Sequence, residues 1–236
     1  MKKYKLTTET LQFAGRTLHR IKAVKDFDSI KAGEFGGWIE NEKNLSQDDN
    51  AWIYGDAMVF DNAEVYDNAK VYGNANVSGN ANVSGDAKVY GIANVFGNAN
   101  VFGNAKVYGN ANVFGYAEVY DNAKVYGNAN VSGNAEVSGN AEVSDYAKVY
   151  GNAAIKGDAK VHDAVDYIVF KNFWSSGRYF TWTSSNNKWS VGCFYGTGEE
   201  LIKKAYADSE KSGREYERVV RYVESILADE KKEKSN

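Results

Sequence analysis

Residues 69–74 read Ala-Lys-Val-Tyr-Gly-Asn, and their six-place pattern runs without an insertion from Ala51 to Val161. Nineteen hexads fit in that span; all carry Ala at the first place, and the third is Val except for Ile53 and Ile155. The Ala-x-Val triplet alternates as a short strand does, so Ala and Val share one side and the residues between and after them take the other. The pair that follows, mostly Gly-Asn, Asp-Asn or Gly-Asp, supplies the residue types that most readily accept positive φ. Strand and sharp corner therefore alternate, which is the signature of a solenoid.

A second period sets the size of the coil. Ala-Lys-Val-Tyr recurs at 69, 87, 105 and 123, in steps of 18. Three hexads make one coil, the cross-section is triangular, and each strand stacks about 4.8 Å from its equivalent one coil on. Nineteen hexads give a little over six coils. At that spacing the rod is on the order of 30 Å long.

These hexads resemble those of the hexapeptide-repeat proteins, which fold as left-handed parallel β-helices and include many acyltransferases. The resemblance alone implies the left hand, an exception to the usual right-handed crossover. Gly33-Glu-Phe-Gly-Gly-Trp-Ile-Glu40, Asn44-Leu-Ser-Gln47 and the following Asn-Ala-Trp-Ile-Tyr54 resemble the lead-in of a bacterial and phage subgroup labelled acetyltransferase-like. In the familiar enzymes Gly often follows the aliphatic residue directly. Here Tyr, Ser or Phe stands there and Gly comes one place later, as in Val71-Tyr72-Gly73.

Three segments follow. Residues 1–50 read as a cap and lead-in, 51–165 as the β-helix and 166–236 as a small α+β module, making the chain mainly β. In the cap, Lys5–Phe13 and Arg16–Val24 are strand-like runs joined at Ala14-Gly15, a β-hairpin. A solenoid's open end exposes unpaired backbone groups, which gives the cap a structural purpose. In the last segment, runs at Tyr167–Trp174, Tyr179–Thr183 and Trp189–Tyr195, parted by Ser-Ser-Gly and Ser-Asn-Asn turns, suggest a three-stranded meander. Capping boxes at Thr197-Gly-Glu-Glu200 and Ser212-Gly-Arg-Glu215 predict two helices. The apolar stripe of the second, Tyr216, Val219, Val220, Val223, Ile226 and Leu227, must cover either the meander or the last coil. The tail from Asp229 reads as charged and frayed.

Composition excludes several classes. Of 28 basic and 31 acidic side chains, residues 1–50 hold 9 and 8, 51–162 hold 7 and 11, and 163–236 hold 12 and 12. No segment is basic overall, which argues against general nucleic-acid binding. No run is apolar and long enough to span a membrane, and no secretory signal follows Met1. A single cysteine fits a reducing compartment, so the cytoplasm is expected, a host cell's if the source is viral.

Catalytic candidates are few. Related acyltransferases place a catalytic His on or beside the coils, and only His19 and His162 exist. His162, after the last strand, is the one candidate, and an exposed His ending the array is the plainer reading. Carbonic anhydrases of the resembling fold need three metal-binding His per chain, so no metal site is expected. Relatives that bind acetyl-coenzyme A interrupt the coils with a pocket-shaping loop, which is missing between 51 and 161. No cofactor is therefore expected, acetyl-coenzyme A entering only under an acyltransferase reading. Gly196-Thr-Gly198 reads as a capped turn rather than a phosphate loop, and Cys193 as core.

Sorting outward residues by the period of 18 is more informative. On one face the residue before the aliphatic place runs Trp52, Lys70, Lys88, Lys106, Lys124, Glu142, Lys160. The residue after it runs Tyr54, Tyr72, Tyr90, Tyr108, Tyr126, Ser144, His162. Stacked lysines repel unless solvent, a carboxylate or a ligand compensates. Duplication of one 18-residue unit without selection is the plainer origin of the columns. The sequence thus reads as a non-catalytic scaffold or binding module, presenting Lys70, Lys88, Lys106, Lys124, Tyr72, Tyr90, Tyr108 and Tyr126 to an anionic small molecule or acidic protein. Outward aromatics also suit subunit packing, and the resemblance implies a homo-oligomer, a trimer. The alternatives are a coenzyme A dependent acyltransferase and a phage-type protein that sequesters or inhibits a host molecule.

Overall fold

Ala and Val take the inward places along the whole array, from Ala51 to Val161, and each of these side chains is at most 1% exposed. Every triplet contributes a two-residue strand such as Lys70–Val71, and strands 18 residues apart pair in parallel, Lys88 with Lys106 and Val89 with Val107. Three parallel sheets result, enclosing a core only two residue types wide. The computed structural model describes residues 2–174 and 177–233, and divides into two compact units, Met1–Asp166 and Tyr167–Asn236. The first is a parallel β-solenoid of about 7 turns.

The corners work as their residues suggest. Gly91 has φ of 77°, and a Cβ there would lie 2.9 Å from the backbone nitrogen of Gly109 in the next coil. Asp61 tolerates the same corner at φ of 60° while its Oδ2 accepts the Gly79 N–H at 3.1 Å. A side chain that supplies its own hydrogen bond thus offsets left-handed strain.

Outward asparagines are less free than their exposure suggests. Asn76, Asn94, Asn112 and Asn130 form an amide ladder in which each Nδ2 donates to the next Oδ1 at 3.0–3.1 Å. Such ladders are what in-register stacking offers identical amides. At its first rung stands Met58, which has no amide, and Asn76 Oδ1 is buried with no hydrogen-bond partner among the described residues.

The solenoid begins before Ala51. The expected hairpin forms from Tyr4–Phe13 and Arg16–Ala23, turning at Ala14 (φ 50°) and Gly15 (φ 76°). Its second strand pairs antiparallel with Phe35–Ile39, which lies parallel to Met58–Val59, and Leu45 bridges to Val65. These lead-in residues complete a further coil beyond the six and a fraction counted from hexads. The Ala-x-Val signal misses it because Gly37 stands at the place held by Ala57 one coil later and Lys43 at the place held by Ala63, with Asn44 beside it buried and donating to the Asp61 and Ala63 carbonyls.

Within the array the N–H groups of the residues on either side of each Val donate to carbonyls of the next coil, as Lys70 does to Ala87 at 2.9 Å, so the matching carbonyls of the first coil are left over. Lys3, 1% exposed, covers them: its Nζ donates to the carbonyls of Asp48 and Ala51 at 2.9 Å and of Asp49 at 3.4 Å. Tyr4 Oη donates to the Leu45 carbonyl at 2.7 Å. Burial lowers the Lys3 pKa from 10.5 to about 8. At the opposite end Asp166 Oδ2 accepts the N–H groups of His162 and Asp163 at 2.7 and 2.9 Å.

The C-terminal unit corrects three expectations. Its sheet has four antiparallel strands, Tyr167–Lys171, Tyr179–Thr183, Lys188–Val191 and Phe194–Gly196, not three. Gly192, at φ of 58°, and Cys193 make a two-residue turn between Val191 and Phe194, splitting the run read as one strand. Cys193 is accordingly exposed, not core. Ser175 and Ser176 of the expected Ser-Ser-Gly turn lie outside the described residues.

Helix α1 (Gly198–Asp208) begins at Thr197 with the expected capping box, Glu200 carboxylate to Thr197 N–H at 2.8 Å. Helix α2 (Glu210–Glu233) starts ahead of the second box, because Ser209 Oγ already accepts the Ser212 N–H at 3.1 Å. It also continues through Asp229 instead of fraying there; residues 234–236 lie outside the described residues. Val220 and Val223 join Phe180, Trp182, Trp189, Val191, Leu201 and Ile202 in one core, so the stripe covers the meander.

Replacing Val107 by Asp puts an unpaired carboxylate in the coil interior and should cost more than about 4 kcal/mol. Exposure alone makes Asn112→Asp harmless, yet the ladder requires its Nδ2 as donor to Asn130, so a loss of about 1–3 kcal/mol is expected. Urea melts of both variants check the ranking; a neutral Asn112→Asp would deny the ladder any energetic role.

Candidate anion-binding face

Parallel register brings together the residues that the 18-residue period groups. Lys70, Lys88, Lys106 and Lys124 sit side by side on consecutive strands, with Trp52 before them and Glu142 and Lys160 after. Beside them the rings of Tyr72, Tyr90, Tyr108 and Tyr126 stack face to face, with centroids 4.7, 4.8 and 4.9 Å apart and planes within 4°. Tyr54 ends the stack edge-on at 6.3 Å. Each inner ring spends both faces on its neighbours. What remains outward is ring edge and hydroxyl.

On the other side of the lysines runs a corner column, Asn50, Asn68, Asp86, Asn104 and Asn122. Together with the lysines and Asp28 it lines a groove of about 720 Å³. That volume lies in the range of small-molecule sites. A shallower hollow of about 410 Å³ lies between Tyr54, Tyr72, Lys70 and Lys88. The corner column was legible in the period, since it falls two places before each lysine. Asp28 was not: it belongs to a loop whose Phe27 packs on Trp52 at 5.3 Å, a contact no local pattern announces.

Compensation along the column is uneven. Lys70 Nζ donates to Asp28 Oδ2 at 2.5 Å, and Lys124 Nζ to Glu142 Oε1 at 2.8 Å. These hydrogen bonds raise both lysine pKa values and lower those of Asp28 and Glu142. For Lys88 and Lys106 no carboxylate lies within 4.0 Å among the described residues. Two neighbouring ammonium groups thus stand between two that the protein has already paired. Burial raises the pKa of Tyr72, Tyr90 and Tyr108, so these three phenols stay protonated beyond the ordinary tyrosine range.

His162 is placed differently. Its Nδ1 lies 2.7 Å from Ser144 Oγ and 3.2 Å from Asp145 Oδ2, so both partners share one ring nitrogen. A relay from carboxylate through imidazole to hydroxyl needs them on opposite nitrogens. Ser144 is moreover 1% exposed. Among the described residues no three His, Cys, Asp or Glu side chains are grouped to hold a metal, and no helix is long and apolar enough to cross a membrane. On the third face Tyr120 donates to Glu136, which Lys156 also pairs at 2.9 Å.

No family model matches the chain. Over 62 residues it is 39% identical to a protein of Escherichia coli (strain K12) described as the uncharacterized acetyltransferase YdcK. The similarity takes in 23% of this chain and 19% of that protein, so it spans about a fifth of the relative's length.

The tyrosine stack has a signed alkaline consequence. A phenol whose pKa is raised by folding adds stability that is complete below the unfolded value of 10.0 and is lost as pH rises through the folded one. Melting temperature should therefore fall as pH passes about 10. The double variant Tyr90→Phe and Tyr108→Phe should show a shallower fall; an unchanged slope would mean the stack does not hold its phenols protonated.

Proposed function

We propose that the solenoid is a binding module whose lysine face receives a carboxylate-bearing ligand, held chiefly by electrostatics. One observation carries this reading: Lys88 and Lys106 lack a carboxylate while Lys70 and Lys124 on either side have one. Two unit charges one strand spacing apart, ~4.8 Å, repel by roughly 1 kcal/mol even in water. A ligand that supplied anions there would remove this repulsion and add charge-assisted hydrogen bonds. Asn104 stands two places before Lys106 with an amide group that can donate or accept, while Asp86 holds the matching place before Lys88. The proposal includes a homo-oligomeric state, a trimer by family resemblance.

A fluorescein-labelled hexaglutamate peptide tests the face. Its binding should weaken with added salt, and by at least about tenfold in the double variant Lys88→Glu and Lys106→Glu. The double variant Asn94→Ala and Asn112→Ala, on the neighbouring face, should bind unchanged if it remains folded by circular dichroism. Binding that ignored salt and the lysine changes would overturn the proposal.

Acyl transfer from coenzyme A is the second reading, favoured by the printed description of the E. coli relative. Against it stand the unbroken coils and the shared Nδ1 of His162. We expect no acetyl transfer from acetyl-coenzyme A to amines, sugars or chloramphenicol-like alcohols. Turnover that vanished in His162→Ala would replace the binding reading with the catalytic one.

A further inference from the structure

Lys70 and Lys124 show how this face treats a carboxylate: each takes one oxygen on Nζ, at 2.5 and 2.8 Å. Asp28 and Glu142 therefore occupy the two ends of the column much as a ligand's carboxylates would occupy its middle. They also bound the free stretch. An anionic polymer running along the axis would meet Asp28 at one end and Glu142 at the other, so only two of its carboxylates, those opposite Lys88 and Lys106, would be matched. Only two sites remain open, on adjacent strands paired in register at Lys88 and Lys106.

Resting on the carboxylate-binding proposal, we infer that the groove selects a small linear dicarboxylate whose two carboxyl groups stand about one strand spacing, ~4.8 Å, apart. Each carboxylate faces one lysine, and the connecting chain lies parallel to the solenoid axis. The amides of Asn104 and Asn122 line the groove alongside the lysines. Stacked tyrosine rings wall the other side of the column, and their spacing of 4.7–4.9 Å is the repeat the ligand must match. Two carboxylates pair one to one with the two free lysines, with Asp86 of the corner column as a further negative charge beside them. A monocarboxylate leaves one lysine unmatched, and a tricarboxylate brings an anion with no open partner.

Asp86 is the internal opponent of this ligand. It lines the groove two places before Lys88, where neighbouring coils carry Asn68 and Asn104. Its carboxylate lowers the positive potential that a dianion would meet, so its removal should tighten binding without touching either lysine.

The test is an NMR titration of the isotope-labelled full chain with malonate, succinate, glutarate, adipate and pimelate, and with acetate as the single-charge control. Affinity should peak at glutarate, whose extended chain sets its carboxyl carbons about one strand spacing apart. Lys88→Met and Lys106→Met should each weaken glutarate by roughly fivefold, the upper end for a solvent-accessible ion pair. Asp86→Asn should tighten it. Asp28→Asn frees Lys70 and lengthens the open stretch to three lysines, about two strand spacings end to end, so the optimum should move to diacids longer than glutarate.

No dependence on chain length, or an optimum indifferent to Asp28→Asn, would overturn the dicarboxylate inference. If hexaglutamate still bound in a salt- and lysine-dependent way, the broader proposal would survive that result. Failure of every diacid and of hexaglutamate alike would remove both.

Discussion

The structure depends on stacking like on like, one coil every 18 residues. Because the strands pair in parallel and in register, each outward side chain has the same column neighbours above and below it, about 4.8 Å away. The inward Ala and Val make this possible, since side chains this small let three sheets close around a core one triplet deep. A larger residue would push the sheets apart, and a polar one would leave a group without a partner. Everything distinctive on the surface is a consequence of that fixed register.

Stacking suits some residue types and penalises others. Asparagine gains, because an amide is both donor and acceptor and can link rung to rung, as Asn94, Asn112 and Asn130 do. Tyrosine gains through ring contact. Lysine loses, because identical cations gain nothing from proximity, and the fold answers at Lys70 with Asp28 of a distant loop and at Lys124 with Glu142 on the next strand of the column. Leaving Lys88 and Lys106 unanswered puts the strongest unmet electrostatic demand of the lysine face at the centre of its groove.

The same directionality governs the ends. The hydrogen bonds of the residues beside each Val run forward, from N–H to a carbonyl of the next coil, so this set leaves over carbonyls in the first coil and N–H groups in the last. Lys3 and Tyr4 are donors placed at the carbonyl end, while the Asp166 carboxylate accepts at the N–H end. The caps thus match the polarity of the backbone they cover, which is why a buried lysine is tolerated there even though burial lowers its pKa.

The sequence by itself determined the coil, its inward and outward faces and the Lys and Tyr columns. All of these follow from strict local periodicities that tertiary packing has no reason to override. The capping box at Thr197 and the hairpin turn at Ala14-Gly15 were legible for the same reason: their signals lie within a few residues. Only the tertiary structure decided that Trp38, Ile39 and Leu45 belong to an earlier coil, since their Ala-x-Val signal is broken by Gly37 and Lys43. It alone brought Asp28 to Lys70 across 42 positions of chain, and turned the tyrosine faces inward on one another. The first closes Lys70 with a carboxylate and the second leaves ring edges rather than faces outward, both through contacts between residues distant in sequence.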